Sequence, residues 1–192
     1  MNISQEIDKM EEKISFDLSP IAISNYFIDK AIEDNLEIDL LKVTKLAYFA
    51  YGITMSLLNK KLFDEEIQAW DYGPVVPSIY HTFKNYGLDD IRDKAKDLSF
   101  DNKSFKMSFY KPEISKKDLN KLTVKVTGGK EMNVLDITWR AFGKYSGLKL
   151  VDMAHLENTP WDKVYKPNKK NIVLNDDDIK EYFQNTLGFK YE

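Results

Sequence analysis

The residues in this chain that could carry chemistry are few. The 192 residues include two histidines, His81 and His155, and no cysteine. Without cysteine there is no disulfide framework, no thiolate metal site and no thiol nucleophile. The histidines lack the HExxH spacing of a zinc enzyme, and a zinc site needs more protein ligands than two imidazoles supply. The serines have no GxSxG context. Gly128-Gly129-Lys130 falls short of the full GxxxxGK[ST] phosphate cradle and reads as a turn. The run Asp176-Asp177-Asp178 fits the first turn of a helix, where each carboxylate meets the positive end of the helix dipole for about 0.3–1 kcal/mol. An enzymatic reading would need a pair of carboxylates, drawn from residues such as Asp71 or Glu157, in a cleft that shifts their pKa values. No catalytic residue, metal ligand or cofactor site is expected, and the inventory suits a molecule that holds a partner.

Aromatic residues concentrate instead in residues 66–87, EIQAWDYGPVVPSIYHTFKNYG. A short apolar run, Ile67 to Trp70, reads as a β element. Asp71-Tyr72-Gly73-Pro74 reads as a turn, because glycine tolerates unusual backbone angles and proline fixes its own φ. The residue before proline avoids the helical region, so an amphipathic helix is expected from Val75 to Tyr86, with Pro77 in its first turn and Gly87 at its end. Trp70, Tyr72, Tyr80 and Phe83 flank this corner. Such a cluster packs a core or presents a contact surface, since Trp and Tyr are enriched at binding hot spots. His81 is expected on the solvated side of its helix.

The pattern AW-x-YGPV-x-P-x-x-Y, carried by Ala69, Trp70, Tyr72, Gly73, Pro74, Val75, Pro77 and Tyr80, resembles the signature of the SocA-like antitoxin family. That family is also called the Panacea domain and includes GepA-like phage-associated proteins. Three further stretches agree in order: LLKVTKLAYFAYG at residues 40–52, Lys60-Lys61-Leu62-Phe63, and LVDMAHLENTPW at residues 150–161. The resemblance spans roughly residues 19–183. It implies an antitoxin that neutralises a cognate toxin by direct protein contact; some members deliver the toxin to a protease as adaptors. It also marks two residue sets. Trp70, Tyr72, Gly73, Pro74, Val75, Pro77 and Tyr80 are candidates for partner binding. Lys42, Lys45, Leu46, His155, Pro160 and Trp161 are motif scaffold. The first set could equally be scaffold, with the interface on a variable insertion at about residues 93–130. The alternative reading is a phage or mobile-element protein that inhibits a host nuclease or defence enzyme, or a nucleic-acid-associated protein.

Composition sets the frame. Apolar residues make up 43% of the chain and charged residues 31%, with a net charge of −3. Such a length and balance suit one domain, residues 19–192, after an N-terminal extension or short helix at residues 1–18. The acidic balance argues against nucleic acid as the main partner. The lysine pairs 60–61, 116–117 and 169–170 read as solvated surface. No apolar run approaches the roughly 18 residues of a membrane span, and the N-terminus lacks an apolar signal core, so cytoplasmic residence is expected.

A mainly α domain of six to eight helices follows from the periodicity. Expected helices cover residues 5–15, 19–34, 39–59, 75–86, 115–122, 131–145, 148–156, a short one after Thr159-Pro160, and 176–187 closing at Gly188. A short helical turn is expected at 88–92. Strand character is expected near residues 67–70 and 105–110 and at 123–126. The helix over 39–59 is apolar on two faces and belongs at the centre of the domain, with Lys42 and Lys45 on its remaining face.

Overall fold

The computed structural model describes residues 15–101 and 106–186. The expected helix over 5–15 and the terminal Gly188 lie outside the described residues. The chain is mainly helical, with eight α-helices and three small antiparallel hairpins among the described residues.

Helix α1 (Pro20–Glu33) starts where Ser19 accepts a hydrogen bond from the Ala22 N–H and proline occupies the first helical position. It buries Ile23, Phe27, Ile28 and Ala31, while Ile32 points to solvent. Buried Asn25 on this helix accepts from the Ala95 N–H and donates to the Ala95 and Pro112 carbonyls, which ties the segments on either side of residues 97–110 to the body.

Helix α2 (Leu40–Leu58) is the axis of the fold. Asp39 caps it by accepting the Lys42 N–H at 2.7 Å, and Asn59 ends it in the left-handed conformation. Every residue from 42 to 56 is buried. This follows from its two apolar faces: a helix hydrophobic all round must be covered all round. Phe49 stacks on Phe142 at 4.5 Å between ring centroids, and Tyr51 meets Phe63 at 4.8 Å. Gly52 is explained by contact: a Cβ there would lie 2.2 Å from the Phe183 ring of the last helix.

Hairpin β1 (Gln68–Trp70) and β2 (Gly73–Val75) pair Gln68 with Val75 and Trp70 with Gly73 around the two-residue turn Asp71-Tyr72. Residues 172–174 line its far edge, since Ala69 donates to the Ile172 carbonyl and Leu174 to that of Ile67, each at 2.8 Å. Helix α3 (Pro77–Phe83) and one 3-10 turn (Lys84–Tyr86) follow. A second hairpin, β3 (Asp97–Asp101) and β4 (Lys106–Tyr110), pairs Leu98 with Phe109. After α4 (Lys116–Lys121) a third hairpin, β5 (Thr123–Val126) and β6 (Lys130–Asn133), turns at Gly128-Gly129. Helices α5 (Val134–Phe142), α6 (Gly147–Ala154), α7 (Pro160–Val164) and α8 (Asp176–Thr186) complete the chain.

Four expectations are corrected. Gly73-Pro74-Val75 is a strand, and the helix begins only at Pro77, because pairing with β1 holds these residues extended. Residues 131–133 belong to β6, so the fifth helix starts at Val134, capped by Asn133. Residues 88–92 form no helix; Ile91 instead donates its N–H to the Ile38 carbonyl. Lys42 and Lys45 are not on a solvated face: they are 4% and 0% exposed. No helix among the described residues is long and apolar enough to cross a membrane.

Candidate functional site

The turn Asp71-Tyr72 and its strands form a corner that residues of the 40–52 and 150–161 stretches meet, while residues 60–63 pack elsewhere. Gly73 has φ +92°, a conformation L side chains rarely adopt. A Cβ on Gly73 would lie 2.9 Å from Lys45 Cε and 3.3 Å from His155 Nε2, so a side chain there would also displace the lysine end from the hairpin. Lys45 reaches the hairpin from α2 and donates from Nζ to the Pro74 carbonyl at 2.9 Å. Burial pushes the Lys45 pKa down to about 7. Lys42, one turn earlier, donates to the Glu37 carbonyl and sits 5.5 Å over the Trp139 ring, an aromatic seat that offsets part of its desolvation.

From the other side, α7 and the loop before it clamp the same turn. Thr159 caps α7 by accepting the Asp162 N–H, and Pro160 takes the first helical position. That places Trp161, whose Nε1 donates to the Trp70 carbonyl at 2.8 Å. Trp161 lies between His155 and Tyr165, with centroids 4.0 and 4.3 Å away. The Tyr165 hydroxyl donates to Asp71 Oδ1 at 2.8 Å, which raises the tyrosine's pKa. Burial first, and the nearby Lys45 charge second, hold His155 below its ordinary pKa. Its Nε2 is buried without a hydrogen-bond partner.

The corner thus gathers Lys45, Trp70, Gly73, Pro74, His155 and Trp161 in one place. Leu46 is fully buried in the core beneath it, and Pro160 is buried in α7. Of the residues considered for partner contact, Gly73, Pro74 and Val75 are buried and Pro77 is half-buried. Trp70 and Tyr80 are half-buried and meet edge-to-face at 4.8 Å. Tyr72 stands out at 63% exposure. Phe83 belongs to the core, and His81 is exposed as expected.

Beside the turn opens a cleft of about 400 Å³. Its walls are the start of α2 (Leu40, Leu41), the hairpin (Trp70, Tyr72, Val75), Tyr80, and Lys169-Lys170. Lys45 lies at its floor. Glu65 was missed in the sequence: its Oε1 accepts the Ser78 N–H at 2.8 Å and so caps α3, whose own cap residue, Val76, has no polar side chain. The other lysine pairs lie elsewhere, with Lys61 bound to Asp176 and Lys116-Lys117 opening α4. Among the described residues no group of three or more acidic or histidine side chains could hold a metal ion.

A family model described as "Antitoxin SocA-like, Panacea domain" matches residues 43–162, which include most of α2, the corner and Trp161. The chain is also similar to Antitoxin SocA of Caulobacter vibrioides (strain NA1000 / CB15N), at 26% identity over 156 residues, covering 80% of this chain and 73% of that protein. No solved structure matches.

Proposed function

This chain belongs to the SocA-like antitoxin, Panacea domain family, and from that premise we propose that it neutralises a cognate toxin in the cytoplasm by direct protein contact, without catalysis. The observation that carries the contact surface is Tyr72. A large aromatic side chain stands in solvent on a turn whose neighbours are held by hydrogen bonds from Trp161 and Tyr165. A turn already held in place loses little backbone freedom on binding, and exposed aromatic residues are enriched among those that dominate interface energetics. Trp70 and Tyr80 extend the same surface. Gly73, Pro74, Val75 and Pro77 act from beneath, as the frame that fixes its angle. Capture either occludes the toxin or presents it to a protease.

The test is co-expression with the product of the neighbouring reading frame. The expected outcome is restored growth and a complex that co-elutes on gel filtration. Absence of both would overturn the reading. Comparing toxin lifetime in cells with and without their ATP-dependent proteases separates occlusion from delivery.

A further inference from the structure

The cleft beside the turn has a character that toxin binding in general does not require. Its walls are largely apolar, formed by Leu40, Leu41, Trp70, Tyr72, Val75 and Tyr80. Its charges are unbalanced: Lys45, Lys169 and Lys170 line it, against the single carboxylate of Asp71. That carboxylate already accepts the Tyr165 hydroxyl. Lys169 and Lys170 are exposed and make no ion pair with a described residue. Two exposed cations at one cleft, with the buried Lys45 at its floor, stand out in a chain whose net charge is −3.

Mostly apolar lining with a few convergent charges, at a volume of a few hundred Å³, is the make-up of a small-ligand site. The charges call for an anion and the walls for apolar or aromatic side chains. Four separate stretches of chain wall the cleft, at residues 40–45, 69–75, 80 and 169–171. A polypeptide end needs only to enter such a cleft, whereas a continuous segment must enter and leave. We infer that this cleft receives the C-terminal end of a partner polypeptide, its free carboxylate directed to Lys169 and Lys170 and its last apolar side chains packed on Trp70, Tyr72 and Tyr80. Capture of a terminal carboxylate is an established mode of peptide recognition. The inference rests on the toxin-binding reading for the owner of that end and is otherwise independent of it.

The experiment uses the full chain and a library of random heptapeptides displayed with free C-termini. Selected sequences should carry aromatic or aliphatic residues at their last positions. Synthesised as free acids, they should bind at least tenfold more tightly than as C-terminal amides, and binding should weaken as salt rises. The double variant Lys169→Glu/Lys170→Glu changes only exposed side chains and should retain the native melting temperature while losing tenfold or more in peptide affinity. Tyr72→Ala should lose affinity with the acid and the amide alike. No selected sequence, equal binding of acid and amide, or an unchanged affinity in the double variant would each overturn the inference. Selection of internal Asp or Glu with indifference to the amide would move the anion to a side chain and also overturn it. Growth rescue reports separately on the toxin-binding reading: a double variant that binds no peptide yet still restores growth leaves that reading standing and removes the cleft from it.

Discussion

Gly73 and Lys45 face each other across the corner, and each makes a distinct demand. At Gly73 the positive φ disfavours any side chain, and a Cβ would push Lys45 Cε from its 2.9 Å approach. Gly73→Ala is therefore expected to cost about 1–3 kcal/mol from backbone strain alone, read as a lower midpoint in urea unfolding. Lys45 releases its proton near pH 7 in the folded chain but near its ordinary 10.5 when unfolded. Between those values the unfolded chain binds more protons, so stability climbs as pH rises from 7 towards 9. Lys45→Met should flatten that climb, and urea melts at successive pH values will show it. His155, held low by burial, acts on the acid side: its contribution is present above its ordinary value near 6.5 and fades as pH falls. The sequence could not place these lysines, because a helical projection assigns charge to solvent. It has no way to register that a lysine stem can cross a core to meet a carbonyl or an aromatic face.

Caps and turns are where sequence and structure agree most closely. Ser19, Ser115 and Thr159 each cap the helix expected to start beside them, Ser146 caps α6, and Gly128-Gly129 turns the third hairpin. These signals are local, so a short window contains them. Strand pairing is not local in the same way. Residues 131–133 carry side chains that a helix accepts, and Gly73-Pro74 carries turn residues, yet both stretches become strands because a partner lies opposite. A glycine inside a long apolar helix, as at Gly52, points to close approach by some neighbour. That the neighbour is Phe183 was not legible. Gly52→Ala should overpack this contact and cost about 1–3 kcal/mol, less the small gain in helix propensity. Pairing it with Phe183→Leu should recover part of the loss in melting temperature, because the smaller side chain vacates the collision.

At the scale of the whole molecule, a central buried helix supports a small hairpin whose turn is pinned from both sides. The aromatic cluster at residues 70–83 was legible as either core or surface, and the structure divides it: Phe83 faces inward, Trp70 and Tyr80 are shared, and Tyr72 faces outward. Tyr72→Ala should leave the unfolding free energy within about 0.5 kcal/mol of the parent, as surface changes do, while weakening complex formation with the proposed toxin partner on gel filtration. The pinning contacts also fix an order of events. Trp161 reaches back 91 residues to the Trp70 carbonyl, and Tyr165 reaches back 94 to Asp71. Distant contacts of this kind form late, after the cost of closing a long loop has been met, and a ribosome delivers the N-terminal partner first. A nascent chain therefore carries its grip unfinished until synthesis has passed Tyr165, and any message cut short before that codon yields a protein with one flank of α2 stripped of α8 and its corner unlatched.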